Sequence, residues 1–276
     1  MGSYMDETIF KTIIKEIEEQ RPVALVTIVS KLGSGPREPG AKMLVLYNGK
    51  TVGTIGGGVF ERQIINEALK ALKEGRSKKL RYVFRRDHIP KDAIPTGLEC
   101  GGEVEVFIDV IQPRPRIVIV GAGHIGKPLA DLANFLGFRV TIIDDNKELA
   151  SKERFPYAEN IIVDELVKGL EKANITENDY VVIVYGSVEE DYSVLKKAIE
   201  LKPKYIGLLG SKRKVVLFKQ RLSKEGIDVE KLKGIIYAPI GVDIGAQTPE
   251  EIAVSIMAEI IGLMKNIKNL PHLSII

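Results

Sequence analysis

One stretch constrains this chain more than any other: Arg116-Ile-Val-Ile-Val-Gly-Ala-Gly-His-Ile-Gly126. An Ile/Val run of this kind reads as a strand buried on both faces. Gly121, Gly123 and Gly126 follow it at G-x-G-x-x-G spacing, and a helical pattern opens behind them. The first glycine permits the tight turn, the second lets backbone N–H groups approach a phosphate, and the third lets helix pack on strand. The helix N-terminus adds unpaired N–H donors and partial positive charge, which suits an anion. A Rossmann-like unit is therefore expected, with its ligand left open by these residues.

The chain has 276 residues, enough for two domains. Hydrophobic residues at 45% and charged residues at 28% describe a globular protein that can build sizeable cores. A net charge of +3 argues against a general nucleic-acid binder or a polybasic membrane anchor. The single cysteine excludes an intramolecular disulfide framework and fits a reducing cytoplasm. Met1–Gln20 reads as a charged amphipathic helix rather than a secretory leader, and Ile252–Met264 is too short and too charged at Glu259 to span a bilayer.

The first third alternates short elements with glycine-rich loops. Ile9, Phe10, Ile13, Ile14 and Ile17 form a helical stripe ended by Pro22. Val23–Ser30 reads as a strand, and Lys42–Tyr47 and Lys50–Ile55 form a hairpin about Asn48-Gly49. Gly56-Gly57-Gly58 leads into a helix over Val59–Glu74, with Gly75 as its terminator. Leu80–Arg85 and Gly102–Val110 read as further strands, the second alternating Val104, Val106, Ile108 and Val110 with Glu103, Glu105 and Asp109. These elements predict a small α+β domain.

Any chemistry in this domain lies in its loops. Gly33-Ser34-Gly-Pro-Arg37 and Gly56-Gly57-Gly58 both offer backbone N–H groups to an anion, with Arg37 as the charge partner. Glycines that merely serve tight turns are the plainer explanation. Cys100 precedes Gly101-Gly102 in a polar segment after Pro95-Thr-Gly-Leu-Glu99. Two readings stand for it: a small buried hydrophobe, or a soft ligand and sulfur-handling nucleophile. No His or Cys partner stands at zinc-site spacing.

Gln112-Pro-Arg-Pro-Arg116 is a stiff connector, dividing a first domain over 1–112 from a second over 113–276. In the second, His124–Leu136 reads as a helix closed by Gly137, with His124 at the mouth of the glycine loop. Phe138–Ile143 is the second strand. Asp144 follows a little over twenty residues beyond Gly121, where a carboxylate can accept both ribose hydroxyls and repel a 2′-phosphate. A turn cap is the alternative role for Asp144. Asn160–Val163, Tyr180–Tyr185, Tyr205–Leu209 and Gly234–Ala238 continue the strands, and Tyr192–Leu201 reads as a helix. Ser211-Lys212-Arg213-Lys214 opens another helix, where basic charge opposes the dipole unless an anion or acidic partner sits there. Thr248, Pro249 and Glu251 form a capping box for the last helix.

Taken together, several blocks resemble the XdhC/CoxI family of molybdoenzyme accessory factors. They are Gly33-Ser-Gly-Pro-Arg-Glu-Pro-Gly-Ala-Lys-Met43, Gly53-Thr-Ile-Gly-Gly-Gly58 with Glu61, and Cys100-Gly-Gly102, then Gly121–Gly126, Tyr205-Ile-Gly-Leu-Leu-Gly-Ser-Lys-Arg-Lys214 and Gly241-Val-Asp-Ile-Gly-Ala-Gln-Thr-Pro-Glu-Glu251. They run in the family's order over nearly the whole chain. One departure is visible: where the family often carries a Thr-His pair upstream of an acid like Asp191, this chain has Tyr185-Gly186.

The resemblance implies an α/β protein, a small α+β domain followed by a Rossmann-like doubly wound parallel sheet. It implies a chaperone rather than an enzyme, binding molybdenum cofactor (molybdopterin), supporting its sulfuration and inserting it into an apo-enzyme of the xanthine dehydrogenase type. The implied partners are that enzyme and a cysteine desulfurase, with no nucleic acid or membrane; a homodimer is expected on general frequency. The implied contacts are Gly33, Ser34, Arg37, Gly56, Gly57, Gly58, Glu61, Gly101, Gly102, Gly121, Gly123, His124, Gly126, Asp144, Ser211 and Arg213, with Cys100 near the metal or in the sulfur path. Read without the resemblance, the glycine loop and Asp144 leave NAD or another nucleotide as ligand, in an NAD-dependent oxidoreductase or a nucleotide-sensing module.

Overall fold

The structure, a computed structural model, describes residues 2–85, 89–98 and 101–276. The chain separates into two compact units, Met1–Pro113 and Arg114–Ile276. Among the described residues no helix is long and apolar enough to cross a membrane.

The first unit is one six-stranded sheet covered by two helices. Its elements are α1 (Gly2–Glu18), β1 (Val23–Leu32), β2 (Lys42–Leu46), β3 (Thr51–Gly53), α2 (Gly58–Glu74), β4 (Lys78–Val83), β5 (Ala93–Pro95) and β6 (Glu103–Ile111), in sheet order β3-β2-β1-β6-β4-β5. Successive side chains in a strand point to opposite faces. Ala24, Val26, Ile28, Met43 and Val45 thus meet Phe60, Ile64, Ala68 and Leu72 of α2. Val23 and Leu44 point the other way and meet Ile9 and Ile13 of α1. Each buried aliphatic or aromatic side chain of α2 contributes roughly 1.5–3 kcal/mol, so α2 is held by its stripe rather than by propensity. Gly75 in the left-handed region closes it, as expected.

Strand β5 is an element that the sequence pattern did not predict. It pairs parallel with β4, and Thr96 behind it is 2% exposed. The Thr96 N–H and hydroxyl both donate to the Val83 carbonyl, at 3.0 and 3.2 Å. Three residues are too few to establish a period, which is why this strand left no trace in the sequence pattern.

The second unit contains β7 (Arg116–Val120), α3 (Gly126–Phe135), β8 (Arg139–Asp144), β9 (Asn160–Val163), α4 (Leu166–Lys172), β10 (Tyr180–Ile183), α5 (Val188–Leu201), β11 (Tyr205–Leu208), α6 (Lys212–Lys224), a short 3₁₀ turn (Val229–Leu232), β12 (Ile236–Tyr237) and α7 (Pro249–Met264). Its strands pair in parallel, in the order β12-β11-β10-β7-β8-β9. Counted from β7, this is 3-2-1-4-5-6, the doubly wound Rossmann order. Ile117, Ile119, Val140 and Ile142 face α3 and α7; Val118, Val120, Ile143 and Val181 face α4, α5 and α6. Burial on both faces explains the unbroken Ile/Val runs.

Helix ends moved where local chemistry outweighed apolar period. Helix α3 begins at Gly126 rather than His124, because residues 121–125 are committed to the glycine loop. Helix α5 begins at Val188, about a turn before Tyr192. Its first turn holds Glu189, Glu190 and Asp191, a polar run that suits the helix dipole but hides the helical stripe. The capping box at Thr248 and Glu251 is present with both reciprocal hydrogen bonds.

Candidate functional sites

In the first unit the register of β1 on β6 pairs Leu32 with Glu103, which carries Gly33 directly beside Gly102. A Cβ built on Gly33 would lie 3.4 Å from the Gly102 Cα. A Cβ on Gly102 would overlap the Ser34 carbonyl, so no larger residue fits there. On the far side of the same loop, a Cβ on Gly56 would overlap the Pro36 side chain. The loops at 33–36, 56–58 and 101–102 are therefore packed against one another as a single cluster.

Hydrogen bonds lock this cluster to the core. The Gly101 N–H donates to the Phe84 carbonyl at 2.7 Å, and the Phe84 N–H donates back to the Gly102 carbonyl at 2.9 Å. Phe84 packs on Phe60 in the first turn of α2, with ring centroids 5.2 Å apart. Glu61 holds the Gly56–Gly58 turn. One of its oxygens accepts the Thr54 hydroxyl at 2.5 Å and the N–H groups of Ile55 and Gly57 at 3.1 and 3.0 Å. Burial pushes the Glu61 carboxyl up, yet the donors from Thr54, Gly57 and Ile55 overcome it and hold the carboxyl below its ordinary value. Glu61 is thus an anion already satisfied by its own loop.

Gly57 and Gly58, both at positive φ, have open space where a Cβ would stand. Ser34 and Arg37 are exposed in the loop whose Pro36 packs on Gly56. Cys100, assigned a sulfur-handling role by resemblance, lies outside the described residues. Among the described residues no group of three or more His, Cys, Asp or Glu side chains is arranged to hold a metal ion.

In the second unit the three glycines differ in their surroundings as the motif requires. A Cβ on Gly121 would sit 2.6 Å from the Tyr185 nitrogen, and one on Gly126 would overlap the Gly121 carbonyl. Gly123 has nothing within 4 Å. Two side chains set the loop's pose. The Asp144 carboxylate accepts the Ala122 N–H at 2.6 Å and the Asn146 N–H at 2.9 Å. Arg154 donates to the Ala122 carbonyl at 2.9 Å and to the Leu149 carbonyl at 2.6 Å. Asp144 is 1% exposed, so its carboxylate serves the loop backbone before any ribose. His124 is exposed at the loop's mouth.

Several polar groups at the carboxyl ends of the central strands pair in ways that the sequence pattern did not specify. Asp191, 0% exposed, forms an ion pair with Lys214 and accepts the Gly186 N–H at 3.3 Å. Burial pushes the Asp191 carboxyl up, against the pull of the Lys214 ammonium. Lys214 also donates to the Leu209 carbonyl at 3.2 Å, so this pair ties the loop after β10 to the loop after β11. The acidic partner foreseen for the basic helix start is therefore Asp191. Ser211 caps α6 by accepting the Lys214 N–H at 3.3 Å, while Arg213 is exposed. The Tyr185 hydroxyl donates to Asp145 at 3.2 and 3.3 Å.

A second buried carboxylate, Glu259 in α7, accepts from the Tyr205 hydroxyl at 2.6 Å and the Gly241 N–H at 3.2 Å, and meets His272 Nδ1 at 2.7 Å. It anchors the segment that follows α7 to the loop after β12. Its place as the one acid in the apolar run Ile252–Met264 was the visible signal of it.

The family follows from comparison with known proteins. A family model for the XdhC Rossmann domain matches residues 117–260, and one for the XdhC and CoxI family matches residues 16–83. An uncharacterised Escherichia coli protein, YqeB, is 38% identical over 94% of this chain and 46% of its own length. A probable xanthine dehydrogenase component from Bacillus subtilis is 32% identical over 59% of this chain and 47% of its own. The Escherichia coli molybdenum cofactor insertion chaperone PaoD is 26% identical over 92% of this chain and 87% of its own. The chain thus spans about half the length of the first two relatives. The crystal structure of a Bacillus halodurans protein described as a xanthine dehydrogenase shares the fold, with a TM-score of 0.52 at 24% identity, over 93% of this chain and 96% of that one. By these matches the chain belongs to the XdhC and CoxI family.

Proposed function

We propose that the protein is an accessory factor that binds molybdenum cofactor as cargo, supports its sulfuration and delivers it to an apo-enzyme of the xanthine dehydrogenase type. The observation that carries this reading is the glycine cluster of the first unit. Loops 33–36, 56–58 and 101–102 pack together, leave Gly57 and Gly58 open, and hold their own carboxylate, Glu61, satisfied. The N–H groups of Gly56 and Gly57 are taken by Thr54 and Glu61, so in this reading the phosphate of a pterin cofactor meets the α2 N-terminus behind the turn, and Arg37 supplies the opposite charge. The names of two relatives, a molybdenum cofactor insertion chaperone and a probable xanthine dehydrogenase component, support the same cargo and client.

In this reading Cys100, the residue before Gly101 in the sequence, acts in sulfur handling, with a cysteine desulfurase as the donor. The test is direct. Protein purified from a molybdopterin-producing host should carry a fluorescent pterin and molybdenum in equal amounts. Arg37→Ala should lower that occupancy. Cys100→Ser should retain the fold and lose target activation. Purification without pterin from such a host, or full activation by the Cys100→Ser variant, would count against the reading.

A further inference from the structure

The Rossmann order and the glycine motif imply a nucleotide, and the second unit's residues fit one. Gly123 leaves an open cradle, the α3 N-terminus lies behind it, and the crevice at the carboxyl ends of β7 and β10 is the switch point of the doubly wound sheet. The residue that reads the ribose is not the one the spacing nominates. Asp144 is buried, and each of its oxygens already accepts a backbone N–H. Asp145, the next residue, is exposed.

Asp145 has one polar partner of note, the Tyr185 hydroxyl. Tyr185 follows β10 and Asp145 follows β8, and these strands flank β7. The hydrogen bond therefore bridges the end of β7, from which the glycine loop leaves. The backbone of Tyr185 is set against Gly121, so the phenol reaches from one side of the loop to the carboxylate on the other. Its contacts of 3.2 and 3.3 Å to the two oxygens are long for O–H···O bonds, which centre near ~2.7–2.8 Å, and are cheap to exchange. A hydroxyl offered to both oxygens of one carboxylate is the donor pattern that a vicinal ribose diol supplies better.

We propose that the second unit binds a ribonucleoside diphosphate, with phosphate on the Gly123 loop and the 2′,3′-diol on Asp145 in place of the Tyr185 phenol. The Tyr185-Gly186 departure from the family's Thr-His pair thereby acquires a role: the phenol holds the ribose acceptor in place until a nucleotide displaces it. This inference stands apart from the cargo reading, since pterin occupancy and nucleotide affinity are measured separately.

The test is calorimetry of the full chain with ADP, CDP, NAD and NADP, with far-ultraviolet circular dichroism to verify folding of each variant. ADP or CDP should bind, and the ratio of their affinities identifies the base preferred. Asp145→Asn should weaken that binding roughly tenfold, the effect of losing a hydrogen bond to a charged group. Tyr185→Phe, which removes the competing donor, should tighten it about threefold or more. NADP should bind more weakly than NAD, because its 2′-phosphate meets the Asp145 charge. No binding of ADP, CDP or NAD at millimolar concentration would overturn the proposal. So would unchanged affinity in a folded Asp145→Asn variant.

Discussion

The Asp144 carboxylate, 1% exposed, accepts the Ala122 N–H at 2.6 Å from the opposite side of the glycine turn. A residue nominated as a ligand contact thus sets the shape of the loop that would receive the ligand. Asp144→Ala leaves the N–H groups of Ala122 and Asn146 without their acceptor. Each such loss costs about 1–3 kcal/mol when the group is buried. The variant should therefore unfold at lower temperature than Asp145→Ala, measured by thermal denaturation of both.

The three glycines of the motif should separate by consequence. Gly126→Ala drives a Cβ into the Gly121 carbonyl, an overpacking that should cost at least ~1–3 kcal/mol. Gly123→Ala meets no atom within 4 Å and should stay within about 0.5 kcal/mol of wild type in urea denaturation. Equal losses in the two variants would contradict this packing.

Glu61 makes the first unit acid-sensitive in a defined direction. Its folded carboxyl sits below the ordinary value, which is about 4.3, so the unfolded chain binds the proton more readily. The stabilisation is present above the unfolded value and is lost as pH falls through the depressed folded value. Glu61→Gln should be less stable than wild type at pH 7, by about 1–3 kcal/mol for the charged hydrogen bonds. The gap between the two should narrow as denaturation is repeated at pH values falling below the ordinary carboxylate range.

The buried Asp191–Lys214 pair should behave as a unit. Lys214→Met strands a buried carboxylate and should cost about 3–5 kcal/mol. Adding Asp191→Asn removes that charge, so the double variant should be more stable than the sum of the two single losses predicts. A double-mutant cycle by chemical denaturation measures the coupling; an additive result would mean that the pair contributes nothing as a pair.

Much of the architecture is legible in the sequence alone. The Arg116–Val120 run, the glycine spacing, the Asn48-Gly49 hairpin and the Thr248–Glu251 capping box are local signals, each set by a short-range rule of backbone sterics or hydrogen bonding, and each appears in the fold. The likeness of the loop blocks to the XdhC/CoxI family was equally visible, and the family matches agree with it. Boundaries were less legible where polar residues start a helix, as at Val188, or where a strand has three residues, as at Ala93–Pro95.

What only the tertiary structure decided is which polar groups are already occupied. The glycine motif of 121–126 is written in consecutive residues, because turn geometry depends on neighbours in the chain. Whether Asp144 or Asp145 faces the crevice depends on Ala122, more than twenty residues away in sequence, and on Tyr185, 40 residues away. Whether Lys214 is a solvated base depends on Asp191 across 23 residues. Hydrogen bonding and desolvation act through space, so the sequence determined the loops and the fold that carries them. The packing determined which of their side chains remain available to a ligand.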